Sequence, residues 1–347
     1  MRKHISQLWV AGAVISIILA FYWVGLAPDA AGAAESSPYV YNKADILTRN
    51  GQFGFTSLVD INDSGRIMGG FTDSVAGPYG FVLNDNFKPS EIRCSKKDVV
   101  ATVPQSINRR GEIAGFASVI IDRIPLPEPP YETVVTKVSG FFRNKAGKCK
   151  ILDFPGADLT EARGLNDAGQ VVGDYRDAAG TFRGFVWDDG LFVSFDVPFA
   201  AAQGSSLSQI NNRGQSIGFY WDDDGTYDFI YDNGAFTLLP HVPAAQFTEA
   251  TDINDEGQIV GNYADGSGVL HGFVLEEGVF TVIDVPADDA VHTIVSGINN
   301  RGQVVGRYLT SNPDDATNPF PSHGFIATPS EHLKLIARLE KKLGEMQ

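Results

Sequence analysis

Glu161, Arg163 and Glu249 are the residues of this sequence whose types and spacing come nearest to a reacting site. They stand at variable positions of a repeated motif built on Asn62, Asn108, Asn166, Asn211, Asn254 and Asn299. Five residues ahead of these Asn the chain reads Ser57, Val103, Glu161, Ser206, Glu249 and Ile294. Three ahead it reads Val59, Gln105, Arg163, Ser208, Thr251 and Ser296. Variation at a fixed position of a repeat marks either an unconstrained surface or a ligand site. Two carboxylates with an arginine could form a polar pocket facing a central channel. Paired carboxylates are also what glycoside hydrolysis uses, at a set separation that sequence does not give. Plain solvated channel residues are the stronger competing reading.

A second column lies nine residues after each Asn: Phe71, Ala117, Tyr175, Tyr220, Tyr263 and Tyr308. Aromatic faces near a pocket mouth are what sugars pack on; packing between repeats explains the column as well. A third column is a hydroxyl six residues before each Asn: Thr56, Thr102, Thr160, Ser205, Thr248 and Thr293. Six copies predict one structural hydrogen bond repeated, since function rarely needs six. Asp222, Asp224 and Asp228 sit in an acidic, glycine-containing stretch that could hold Ca²⁺, but the terminal acidic ligand of an EF-hand is missing and a solvated turn is preferred. No His pair has metal-ligand spacing, and no Gly-x-Ser-x-Gly elbow or phosphate-binding loop occurs. No cofactor is therefore expected, with Ca²⁺ the single alternative.

The elements that must position these residues follow from the repeat. In each copy a Gly stands three residues after the Asn and a second Gly seven after it, as in Asn254, Gly257 and Gly261. The segment from Thr248 to Pro286 reads as four short strands separated by tight turns, and a period near 45 residues matches one propeller blade. The third strand carries Gly-Phe, except in the fourth copy, where Asp228-Phe229 replaces it. Extra length falls in one loop position, between strands two and three, over Ile121–Val135 and Thr310–Ser322. Variable loops confined to one place mark the expected working face. The sixth copy stops at Phe325-Ile326-Ala327, while Tyr39–Thr48 precedes the first. That N-terminal segment is predicted to supply the missing fourth strand and so close the ring. The fold class is thus all-β: a six-bladed β-propeller of four-stranded antiparallel blades over residues 38–329. Ile336, Leu339, Leu343 and Met346 recur at helical spacing, which predicts a short amphipathic C-terminal helix over 330–347.

The pattern Ile253-Asn254-Asp-Glu-Gly257-Gln258-Ile-Val-Gly261 followed by His271-Gly272-Phe273 resembles the HAF repeat of extracellular bacterial proteins. Ile298-Asn299-Asn-Arg-Gly302-Gln303-Val-Val-Gly306 with His323-Gly324-Phe325 carries the same likeness. It spans roughly residues 50 to 327. The first copy departs with Arg66 for Gln and Tyr79 for His, the fourth with Asp228 for Gly. The resemblance implies export and a repeat fold; it carries no agreed chemistry, so no catalytic residue is transferred.

The formal net charge of −15 argues against nucleic acid as a partner, because phosphate binding needs a basic stripe. Arg2 and Lys3 precede an apolar run from Leu8 to Ala27, followed by Ala31-Gly32-Ala33. Residues 1–33 therefore read as a signal peptide or an N-terminal membrane anchor. The body is expected to be exported, periplasmic or extracellular, and to touch the membrane only through that anchor. Cys94 and Cys149 are the two cysteines. An oxidising compartment would let them pair, but outer strands of adjacent blades are expected to lie too far apart, and the pairing stays open. The reading favours a binding module for a glycan or cell-envelope component. Its ligand residues would be Tyr175, Tyr220, Tyr263, Tyr308, Phe71, Arg163, Glu161 and Glu249. The alternatives are a propeller enzyme acting on polysaccharide, with Glu161 and Glu249 as acid and base, and a purely structural surface protein.

Overall fold

The Asn-x-x-Gly motif reverses the chain the same way in every copy. The computed structural model of the protein describes residues 38–44, 55–73, 77–83, 88–94, 97–125, 132–199, 202–311 and 321–331. In all six turns the Asn Oδ1 accepts the backbone N–H four residues on, at 2.9–3.1 Å. Gly257 closes its turn at φ 83°, a region that favours glycine. Gly261 answers a different need: a Cβ there would fall 2.1 Å from the Glu249 carbonyl oxygen and 2.5 Å from the Phe273 ring. Only glycine lets the third-strand Phe lie flat under the second strand.

The strands so joined form six four-stranded antiparallel sheets among the described residues. An N-terminal strand β1 (Tyr39–Lys43) precedes them. Blade 1 is β2 (Phe55–Ile61), β3 (Ile67–Asp73), β4 (Gly77–Leu83) and β5 (Pro89–Ile92). Blade 2 is β6 (Val99–Ile107), β7 (Ile113–Pro125), β8 (Glu132–Arg143) and β9 (Cys149–Leu152). Blade 3 is β10 (Leu159–Leu165), β11 (Val171–Arg176), β12 (Phe182–Asp188) and β13 (Leu191–Phe195). Blade 4 is β14 (Gly204–Ile210), β15 (Ser216–Trp221), β16 (Thr226–Asp232) and β17 (Ala235–Leu238). Blade 5 is β18 (Phe247–Ile253), β19 (Ile259–Ala264), β20 (Leu270–Glu276) and β21 (Val279–Ile283). Blade 6 is β22 (Ala290–Ile298), β23 (Val304–Thr310) and β24 (Ser322–Pro329), and its fourth place is taken by β1, with Tyr39 opposite Pro329 and Lys43 opposite Phe325. This is a six-bladed β-propeller. Of the predicted N-terminal segment, residues 45–48 lie outside the described residues. So do 1–37, with the signal or anchor, and 332–347, with nearly all of the predicted C-terminal helix. No helix among the described residues is long and apolar enough to cross a membrane.

Blade cores are built on Phe81, Phe141, Phe185, Phe229, Phe273 and Phe325, all buried. Neighbouring blades are stitched by the hydroxyl column. Thr160 Oγ1 accepts the Phe154 N–H at 3.0 Å, Thr248 that of Val242 at 3.0 Å and Thr293 that of Val285 at 3.1 Å. The donors lie on the segment that crosses from one blade into the next. The Asn column closes a second ring: each Asn Nδ2 donates to the backbone carbonyl of the following blade's Asn, from Asn62 to Asn108 and round to Asn299, which donates to Asn62.

The open cysteine pairing is decided, and one expectation is corrected. Cys94 and Cys149 form a disulfide, with Cα atoms 5.5 Å apart. Cys94 is not on an outer strand. It has left β5 for the crossing segment, where its N–H already donates to Thr102 of blade 2, so it reaches the start of β9. The insertion Ile121–Val135 is not a loop throughout. β7 and β8 extend as a hairpin that pairs Asp122 with Val135 and Pro125 with Glu132, because its β-branched residues favour strand. Residues 126–131 are outside the described set.

Candidate functional site

Six inner strands, β2, β6, β10, β14, β18 and β22, surround the axis. Each carries a β-bulge three residues before its Asn, where the register with its neighbour slips. A bulge leaves one residue unpaired and re-aims it. In blade 3 that residue is Arg163. Its Nε donates to Asp174 Oδ1 at 2.5 Å and its Nη2 to Glu161 Oε2 at 2.6 Å. Asp174 faces Glu161 across the β10–β11 ladder and also accepts the Ser206 hydroxyl of blade 4 at 2.7 Å. Glu249, two blades away, lies close enough for its charge to act on Arg163. Glu249 itself is exposed, on the inner strand β18 between the buried Thr248 and Ala250.

The electrostatics are those of a partly dry pocket. Burial pushes the Glu161 carboxyl above its ordinary range; Arg163 opposes this and Asp174 adds to it. Burial also raises Glu249, with Arg163 pulling it back. Burial works against the Arg163 charge, but Asp174 and Glu161 outweigh it, so the guanidinium stays protonated. The arrangement offers one fixed guanidinium, the Asp174 carboxylate, and two carboxylates of raised basicity, Glu161 and Glu249: donors and acceptors for a polar, hydroxyl-bearing ligand.

Sequence reasoning brought Glu161 and Arg163 together correctly and placed Glu249 within their field. It missed Asp174, whose column (Gly70, Phe116, Asp174, Phe219, Asn262, Arg307) varies as much as the Glu161 column and pairs with it across the ladder. That variation was the available signal.

The Tyr column is a correction. Tyr175, Tyr220 and Tyr308 are buried. Tyr175 stacks on Phe154 at 3.6 Å between centroids, and its hydroxyl bonds to Ser194. Tyr220 stacks between Phe199 and Tyr227, and Tyr308 lies against His323. These rings are spent on packing and offer no free face to a sugar. Tyr263 is half-buried against His271. The Phe71 side chain lies outside the described residues.

The acidic stretch forms the turn that its sequence favoured over a Ca²⁺ loop. Asp222 Oδ1 accepts the N–H groups of Asp224 and Gly225, which is a turn. Asp228 points elsewhere: it is buried in β16 and accepts the Ala250 N–H of blade 5 at 3.0 Å. Asp222, Asp224 and Asp228 therefore do not converge. No group of three or more His, Cys, Asp or Glu that could hold a metal occurs among the described residues.

No protein-family model matches the chain, and no curated protein sequence matches it either. Solved structures of similar shape include Trypanosoma rangeli sialidase, 9% identical with a TM-score of 0.45, covering 90% of this chain and 62% of that one. The β-propeller domain of the Trilobed protease from Pyrococcus furiosus is 10% identical with a TM-score of 0.48, covering 84% and 91%. A mutant of Aleuria aurantia lectin in complex with Fucalpha1-6GlcNAc is 9% identical with a TM-score of 0.43, covering 81% and 96%. The chain spans less than two thirds of the length of the sialidase. At such identities these likenesses carry nothing about ligand or activity.

Proposed function

We propose that this protein is an exported binding module whose ligand enters the axial channel from the face of the strand two–three loops and sits on Arg163, Glu161, Asp174 and Glu249. The observation that supports it most is the charged cluster itself. Six inner strands share one bulge, but only blade 3 places a guanidinium on it, between two carboxylates of its own blade and within the field of a third. A structural role alone would be met more cheaply by the small residues of the other blades, such as Ser208 or Ser296. Fixed donors and acceptors in a semi-enclosed site suit saccharide hydroxyls, and the Cys94–Cys149 pair fits an oxidising, exported setting.

Thermal unfolding against a panel of oligosaccharides tests this reading. A ligand that binds only the folded state raises the midpoint by mass action. The shift should be present in the native protein and lost in Arg163→Met and Glu249→Gln proteins that still fold. A shift that survives both substitutions would move the site off the axis. The raised basicity of Glu161 and Glu249 also supports a second reading, a polysaccharide-cleaving enzyme. In that case Glu161→Gln and Glu249→Gln should abolish release of reducing ends while binding remains.

A further inference from the structure

We propose that the opposite end of the axial channel, its narrow neck beside the Asn turns, is a site for one hard divalent cation such as Ca²⁺, bound through oxygen atoms of Asp60, Asp252, Gln209 and Ser106. It is separate from the Arg163 cluster and uses different residues.

The neck lies at one fixed position of the repeat, two residues before each Asn. Around the ring that position reads Asp60, Ser106, Gly164, Gln209, Asp252 and Gly297. Two pairs of polar side chains are thus separated by single glycines, and all four border the same axial cavity. The glycines shape it. A Cβ on Gly164 would lie 2.8 Å from Gln209 Oε1, and one on Gly297 would lie 3.2 Å from Asp60 Oδ1. Gln209 and Asp60 therefore lean across the glycines of blades 3 and 6. The cavity measures about 60 Å³, room for a cation with a few waters and far too small for a sugar.

Gln209 is the side chain that points to a ligand. It is buried, 8% exposed, and its amide makes no hydrogen bond among the described residues. Buried amides are paired elsewhere in the same fold. Asn262, for example, donates to the Val295 carbonyl and accepts the Val295 N–H. The Gln209 amide faces the cavity, where a bound group can meet it.

Asp60 and Asp252 supply the charge. Each is clamped between blades: Asp60 accepts the N–H groups of Ile61 and Ile107, and Asp252 those of Ile253 and Ile298, all at 2.7–2.8 Å. These bonds fix the carboxylates and leave each oxygen a further lone pair. Both carboxylates border the same small cavity as Gln209 and Ser106. A cation there would offset two negative charges held in one confined space. Asp63, Asp167 and Asp255 form the rim outside, with Arg109 the one cation beside them, so the approach is acidic. With two acidic ligands and two neutral oxygens, the site differs from three-acid metal clusters, and a mixed oxygen set of irregular spacing suits Ca²⁺ better than Mg²⁺.

The test is calorimetric titration of the chelator-treated full-length protein with CaCl₂, alongside the thermal midpoint. Gln209→Met is the decisive variant, because it keeps the shape and removes an oxygen that supports nothing else. The expected result is one site of dissociation constant about 10⁻⁶–10⁻³ M, weakened at least about tenfold in Gln209→Met. Binding should be lost in Asp252→Asn and unchanged in Asp222→Asn. Absence of both heat and midpoint shift at about 10 mM CaCl₂, well above the weakest such sites, would overturn the proposal. So would equal affinity in the native and Gln209→Met proteins, which would put the ion elsewhere. Should Asp252→Asn fail to fold, Gln209→Met still decides.

Discussion

At the scale of the residue, Asp228 shows how one departure from the repeat becomes a physical problem that the neighbours solve. Other blades have Gly at this place, and at Gly272 a Cβ would lie 2.3 Å from the Val295 side chain of the next blade. Blade 4 faces the smaller Ala250, whose N–H donates to the Asp228 carboxylate. Burial pushes that carboxyl up to about 8, the Ala250 bond opposes this, and Glu249 adds to it. The folded protein therefore holds a proton between pH 4 and 8 that the unfolded chain releases. The contribution is fully present below the unfolded pKa and is lost as pH rises through the folded one. Asp228→Asn keeps the acceptor and removes the titration. Urea unfolding over a pH series should show the variant gaining on the native protein by roughly 3–5 kcal/mol between pH 5 and 9, at about 1.4 kcal/mol per unit. A constant difference across that range would mean that Asp228 is ionised in the fold. The departure itself was legible in the sequence; its consequence was not, because it depends on which residue of the next blade faces it.

At the scale of the element, the turns and strand pattern were legible because they are local. An Asx turn needs its Asn and its Gly within four residues, and both are visible in a single copy. The reason for the second Gly was not visible, since the Phe273 ring and the Glu249 carbonyl that exclude a Cβ come from other strands. The disulfide belongs to this scale too. It links the segment after β5 to the start of β9, 55 residues along the chain. A closed loop of that length lowers the entropy of the unfolded chain by about 4 kcal/mol. Cys94→Ser with Cys149→Ser should therefore lower unfolding stability by about that amount, and the oxidised native protein should lose a similar amount on reduction. An unchanged denaturation midpoint would show that the bond is not formed in solution. The Tyr column misled for a related reason. A column of aromatics looks the same in sequence whether it faces solvent or the next blade, and Phe154 and Phe199, which cover Tyr175 and Tyr220, lie on crossing segments outside the repeat pattern.

At the scale of the whole molecule, β1 brings the start of the described chain to the last blade. Its pairing with β24 supplies the outer, fourth strand of that blade. The Asn ring crosses the same junction through Asn299 and Asn62. Removing residues 38–44 should therefore lower the thermal midpoint and expose the amides of β24 to exchange, while the Asn turns of blades 2 to 4 stay protected; equal protection of β24 with and without the segment would count against closure by this strand. The sequence by itself determined the number of blades, the strands in each, and the positions that vary from blade to blade, because these are set by turn chemistry and period within about 45 residues. Tertiary structure alone decided which variable positions meet. Arg163 finds Asp174 on the adjacent strand and Glu249 two blades on, and Asp60, Asp252 and Gln209 line one axial cavity. Contacts between blades join residues far apart in the chain, and only closing the ring brings them within reach of one ligand.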